Sequence, residues 1–116
     1  MSVPILKQGD ILIASIQSAL SDSDLVELRD RLAEGVGRAR SRGVIIDVTA
    51  LDVLDSFATR TIRGIAYTTK LRGAVTVVVG IQPGVAYAMV QLGLALEGVE
   101  TALDLEEGLA LLREKR

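Results

Sequence analysis

The spacing of hydrophobic positions changes several times along the chain, and each change marks a predicted element. Val3 to Lys7 and Ile11 to Ile16 are short apolar runs on either side of Gln8-Gly9-Asp10, the pattern of a hairpin or tight strand turn. Ser21-Asp22-Ser23-Asp24 is rich in capping residues. Ser21 with Asp24, or Asp24 with Glu27, fits a capping-box-like helix start. Leu25, Leu28, Leu32 and Val36 then recur at helical spacing, while Glu27, Arg29, Asp30, Arg31 and Glu34 fall mostly off that stripe. The pattern predicts an amphipathic surface helix ending near Arg42-Gly43, with basic residues in its last turn and glycine as its stop.

Val44-Ile45-Ile46-Asp47-Val48 predicts a strand whose continuous apolar start needs cover on both faces. After the loop Thr49 to Leu54, a helix is predicted from Asp55 or Ser56 to about Leu71, with Phe57, Thr61, Ile62, Ile65 and Ala66 along one side. Ala74 to Val79 is nearly all β-branched and reads as a strand. The turn Gly80-Ile81-Gln82-Pro83 leads to a third helix, with Pro83 at its first position. That helix is expected to reach about Leu96 and is apolar nearly all round. Such a pattern fits a deeply buried helix or one that self-associates. Glu100 to Leu103 predicts a short last strand. Asp104-Leu105-Glu106-Glu107 predicts a capping box opening a helix with Leu105, Leu109 and Leu112 on its packing face, and Lys115 and Arg116 suit its C-terminal end. Strands alternating with helices imply an α/β fold with a mostly parallel mixed sheet, four to five strands, about four helices and right-handed crossovers.

Composition narrows the chemistry. The chain has 116 residues, enough for one domain spanning residues 1–116. It contains no histidine and no cysteine. Ser-His-Asp and Cys-His catalysis are therefore impossible within the chain, as are disulfides and zinc sites with Cys or His ligands. No spaced acidic cluster suggests a carboxylate-only metal site, so no cofactor is expected. The net charge of −2, the lack of a basic tract and only three aromatic residues argue against nucleic-acid binding. Gly84 to Leu96, the longest mostly apolar stretch, is too short for a membrane span, which needs about 20 residues. Met1-Ser2-Val3-Pro4 lacks the basic start of a signal peptide, and absence of cysteine is compatible with the cytoplasm.

The candidate chemistry centres on Asp55-Ser56. Ser56 at a helix start has three readings. The first is ordinary capping. The second is a phosphorylation target, whose added charge of roughly −1.5 to −2 the helix N-terminus partly compensates. Arg60, four residues on, can reach back to it. The third is a nucleophile, the weakest reading, because no histidine can activate it and Lys70 falls about 20 Å away by helix rise. Asp47 is either a strand-end acid bonded to loop N–H groups or one of two acids, with Asp55, flanking Ser56. The loop Thr49–Ser56 and the turn Gly80–Pro83 lie at strand carboxyl ends, where α/β proteins place their sites, and they are expected to be neighbours. A small-molecule or nucleotide site on that surface stays open, although no phosphate-binding loop is present.

The stretch from Val44 to Phe57 resembles the signature of STAS domains, the sulfate-transporter and anti-sigma-factor-antagonist family: an apolar strand, an aspartate, a variable hydrophobic loop, then Asp-Ser opening a helix. The strand and helix order extends this resemblance over the whole chain. The turn Gly80-Ile81-Gln82-Pro83 and the segment Glu100 to Glu106 are similar to those of the single-domain stressosome antagonists. The resemblance implies a cytoplasmic, non-enzymatic partner-switching scaffold. It implies binding to a serine/threonine kinase of the GHKL ATPase type, phosphorylation at Ser56 that weakens the complex, and reversal by a PP2C-type phosphatase. It also implies self-association and co-assembly with STAS paralogues. The expected partner-binding surface comprises Asp47, Asp55, Ser56, Phe57, Arg60, Gln82 and Pro83.

Overall fold

A computed structural model describes residues Val3 to Lys115. Met1, Ser2 and Arg116, which entered the expectations about a leader and about the last helix's basic end, lie outside the described residues. Five strands form one sheet: β1 (Ile5–Gln8), β2 (Ile11–Ser15), β3 (Gly43–Asp47), β4 (Val75–Val79) and β5 (Glu100–Ala102). Four helices accompany them: α1 (Asp22–Ala39), α2 (Ser56–Leu71), α3 (Pro83–Gln91) and α4 (Leu105–Glu114). The strands lie side by side in chain order, with β1 antiparallel to β2 and all other pairs parallel.

The layer arrangement follows from that order. Right-handed crossovers stepping always in one direction put every crossover helix on the same face. Leu28, Leu32 and Val36 of α1, Ile62 and Ile65 of α2, and Val85 and Met89 of α3 all pack on that face, over Leu12, Val44, Ile46 and Val78. The last helix, α4, is not a crossover. It covers the opposite face, where Leu112 packs with Ile13, Ile45, Val77 and Val79. The continuous apolar run of β3 is thus buried on both faces, as its pattern predicts.

Helix α1 opens with a reciprocal box: Ser21 accepts from Asp24 N–H at 3.1 Å, and Asp24 accepts from Ser21 N–H at 3.3 Å. The Ser21 hydroxyl beside Asp24 holds that carboxyl below its usual value. The helix stops earlier than its pattern suggests. Arg40 takes the left-handed conformation, and Ser41 N–H closes onto Val36 O at 3.0 Å. Gly43 is not the stop. It lies inside β3, where Leu112 of α4 sits so close that an added Cβ would come within 2.7 Å of Leu112 Cδ1. At α4, Asp104 caps Glu107 N–H at 2.9 Å, but Glu107 reaches back to Leu103 N–H at 3.2 Å, one residue before the cap. The predicted box is therefore shifted by one position on its return bond.

Two further expectations need correction. The buried stripe of α2 is Thr59, Ile62, Ile65, Ala66 and Thr69; Phe57 and Thr61 are only half-buried beside it. Helix α3 ends at Gln91, five residues short, because Leu94 N–H folds back to Met89 O at 2.9 Å and Gly93 N–H to Val90 O at 3.2 Å. Nor is α3 deeply buried. Only Val85 and Met89 are, while Tyr87, Val90 and Leu92 face solvent.

Candidate functional site at the start of the second helix

The connection from β3 to α2 is shaped by the strand's last side chain. Asp47 accepts from Thr49 N–H at 2.9 Å and from the Thr49 hydroxyl at 2.6 Å, an aspartate turn that bends the chain out of the sheet. Val48 N–H extends the ladder to Val79 O at 3.0 Å. Gln82 Nε2 then donates across the strand ends to Thr49 O at 2.7 Å. Gly80 lies directly against the Thr49 side chain, so the two loops are neighbours, joined through Thr49. Sequence reading did not single out Thr49; the signal for it is the Asp-x-Thr spacing at a strand end. Gln82 occupies the N-cap position of α3 without capping it, since its amide is used across the junction.

At α2 the cap is Asp55, whose carboxylate accepts from Ala58 N–H at 2.8 Å. Thr59 N–H makes the first intrahelical bond, to Asp55 O at 2.9 Å. Ser56 is the first helical residue, and its hydroxyl is exposed with no hydrogen bond among the described residues. The capping reading of Ser56 is thereby corrected: Asp55 does that work. The N–H groups of Ser56 and Phe57 precede the first intrahelical bond and face outward with the positive end of the helix.

Ser56 stands on the lip of a groove of about 400 Å³ between the β3–α2 loop and α3. Its walls are Val53, Leu54, Val85, Ala88, Leu92 and Leu94, with Asp52 and Asp55 at the edge. Helices α1 and α2 pack along one another, and the groove lies between the loop leading into α2 and the start of α3 with the segment after it. Leu54 is buried and anchors the loop. Of the expected surface, Asp55 and Ser56 share the groove wall, with the half-buried Phe57 next in the chain and exposed Arg60 one turn on. Asp47 and Gln82 meet Thr49 instead and do not line the groove, and exposed Pro83 opens α3. The groove walls from α3 and from Leu92 and Leu94 were not among the expected site residues. Their apolar spacing reads as core until the short length of α3 is known.

Residues 2–108 match the family model of the STAS domain. The chain belongs to the STAS family. A serine-to-glutamate variant of RsbS from Moorella thermoacetica is 35% identical, with a TM-score of 0.83 covering 97% of this chain and 96% of that one. A chain from a structure of the stressosome, described as a signal integration and transduction hub, is 33% identical with a TM-score of 0.77 and 97% coverage of both chains. The RsbT co-antagonist protein RsbRA of Bacillus subtilis (strain 168) is 27% identical over 110 residues; the match takes in 94% of this chain and 40% of RsbRA. The STAS domain thus spans about two-fifths of that relative's length. Its likeness is to antagonist-type and stressosome-type members of the family. Among the described residues, no helix of this STAS domain is long and apolar enough to cross a membrane.

Proposed function

We propose that this STAS domain is a non-enzymatic, cytoplasmic scaffold of a bacterial stress-signalling assembly. It sequesters an RsbT-like serine/threonine kinase on the face around Ser56 and releases it when Ser56 is phosphorylated. A PP2C-type phosphatase resets the switch, and an RsbR-like STAS paralogue shares the assembly. The observation that carries this reading is the unbonded Ser56 hydroxyl on the lip of an apolar groove. A phosphate there adds roughly −1.5 to −2 charges. The helix N-terminus offsets about 0.3–1 kcal/mol of that, so the fold tolerates it. A partner lying on the apolar walls would have to strip water from a dianion next to Asp55, which weakens the complex. Arg60, exposed and without a hydrogen bond or ion pair among the described residues, is positioned one turn away to hold the phosphate.

The test is incubation with an RsbT-like kinase and ATP, followed by mapping of the phosphate by mass spectrometry. Label is expected on Ser56, and Ser56→Glu is expected to weaken kinase binding at least about tenfold. Undiminished label on Ser56→Ala would refute the assignment. The groove volume also suits a small apolar ligand. Nucleotides fit it poorly, since their phosphates would meet Asp52 and Asp55. Calorimetry with GTP and ATP is expected to give no micromolar binding; such binding would favour the ligand-module reading.

A further inference from the structure

Gln82 stands where a helix wants a cap and does not supply one. Short polar side chains are favoured at the N-cap because they reach back to the first turn, and glutamine is not among them. In α3 the cap position is Gln82, no side chain caps the first turn, and Pro83 follows directly. The Gln82 amide extends across the strand ends instead, where Nε2 donates to Thr49 O at 2.7 Å. Among the described residues this is the one hydrogen bond between residues 49–56 and residues 80–94. Those two segments supply the two walls of the groove beside Ser56.

The acceptor is itself fixed. Asp47 holds the Thr49 N–H at 2.9 Å and the Thr49 hydroxyl at 2.6 Å, and Asp47 pairs in register with Val79 of β4. Gly80, against the Thr49 side chain, permits the close approach, and Gln82 then fixes the start of α3 to the loop. Past Leu94 the chain is held separately, by Arg63 Nη1 on Ala95 O at 3.3 Å. The Gln82 bond is exposed, so it adds little to overall stability. Its consequence is geometric: it sets how far the α3 wall stands from the loop that carries Ser56.

We propose that Gln82 is a positioning residue for phosphoryl transfer to Ser56. In that transfer a bond forms from Ser56 Oγ to the γ-phosphorus of the kinase's ATP, the bond from that phosphorus to the β,γ-bridging oxygen breaks, and the hydroxyl proton passes to a base on the kinase or to water. Gln82 takes no part in those steps and does not line the groove. It holds the two walls at the spacing on which a kinase spanning both can seat. Loss of the bond weakens the seating before and during transfer alike, so it raises KM and leaves kcat nearly unchanged. This role rests on the kinase-switch reading.

The experiment is phosphorylation of the intact protein by an RsbT-like kinase and ATP, with Gln82→Glu and Gln82→Asn as variants. Glutamate keeps the shape but turns an acceptor towards the Thr49 carbonyl. Asparagine still donates but is one methylene too short, and it is the better N-cap. Both are expected to raise KM about three- to tenfold with kcat within about twofold of wild type. Gln82→Asn is expected to hold or raise the urea midpoint, so stability and KM part company, which a merely structural role does not allow. The chain has no cysteine, so spin labels on cysteines placed at the exposed Val53 and Tyr87 report the separation of loop and α3 without the kinase. A narrow distribution of separations is expected with Gln82 and a wider one with either variant. Wild type labelled on Ser56 together with unchanged KM in the variants would overturn this role alone. So would a raised KM with an unchanged distribution, because Gln82 would then be touching the kinase directly. A wild type without label on Ser56 would overturn the switch reading and this role with it.

Discussion

Replacing Gly80 by alanine tests the junction that ties the Ser56 loop to α3. Two costs add. Gly80 has φ +81, and an L-residue in the left-handed region loses about 1–2 kcal/mol. The new Cβ would also run into Thr49 Oγ1, with Thr49 Cβ only 3.0 Å and Thr49 backbone Cα 3.1 Å away. Moving Thr49 breaks its two bonds to Asp47 and strains the Gln82 bond, adding about 1–3 kcal/mol. The total is about 2–5 kcal/mol, a large part of the stability of a domain this size. Gly9 supplies the control. It has φ +60 but nothing within 4 Å of an added Cβ, so Gly9→Ala carries the backbone cost alone. Urea denaturation with m held in common should place the Gly80→Ala midpoint below that of Gly9→Ala by about 0.5–1.5 M. Equal midpoints would mean that Thr49 yields freely and that the junction is not rigid.

Two further substitutions probe the supports around the site. Asp55→Ala removes the side-chain cap on Ala58 N–H and should cost about 1 kcal/mol by urea denaturation, whereas Ser56→Ala, which removes no hydrogen bond, should change stability by less than about 0.5 kcal/mol. Beneath α2, the buried Thr69 and Thr76 hydroxyls meet at 2.8 Å, and Thr69 also bonds Ile65 O at 2.8 Å. Thr69→Val strands the Thr76 hydroxyl and should cost about 1–3 kcal/mol. Thr76→Val leaves Thr69 bonded and should cost less, and the double valine should cost less than the two singles summed.

The alternation of strand and helix patterns was enough to order the elements, because β-branched runs and helical stripes each obey one period. The limits of legibility have specific causes. The end of α1 depends on Arg40 adopting a conformation that arginine rarely takes, so Gly43 looked like the stop. Gly43 is instead required by a helix more than sixty residues later in the chain, a packing demand no local window contains. Helix α3 looked buried because its residues are apolar all round, yet only one stripe has a place in the core. At the site, Asp55-Ser56 was visible from capping chemistry. The groove beside it was not, because its walls come from two segments about thirty residues apart, the loop into α2 and α3 with Leu92 and Leu94. Thr49 is legible only in part: Asp47 lies two residues away, but Gly80 and Gln82 are brought to it by the pairing of β3 with β4.

The sheet's order also bears on how the chain folds. Each strand pairs with its neighbour in sequence, so a molecule emerging from the ribosome can add one βα unit at a time to the growing edge. Helices α1 to α3 arrive on the same face as they are made. Among the described residues the other face has no cover until α4 is complete. Until then Ile45, Val77 and Val79 offer an open apolar strip, so a chain whose sheet has formed but whose α4 has not yet docked is the one most exposed to misassociation.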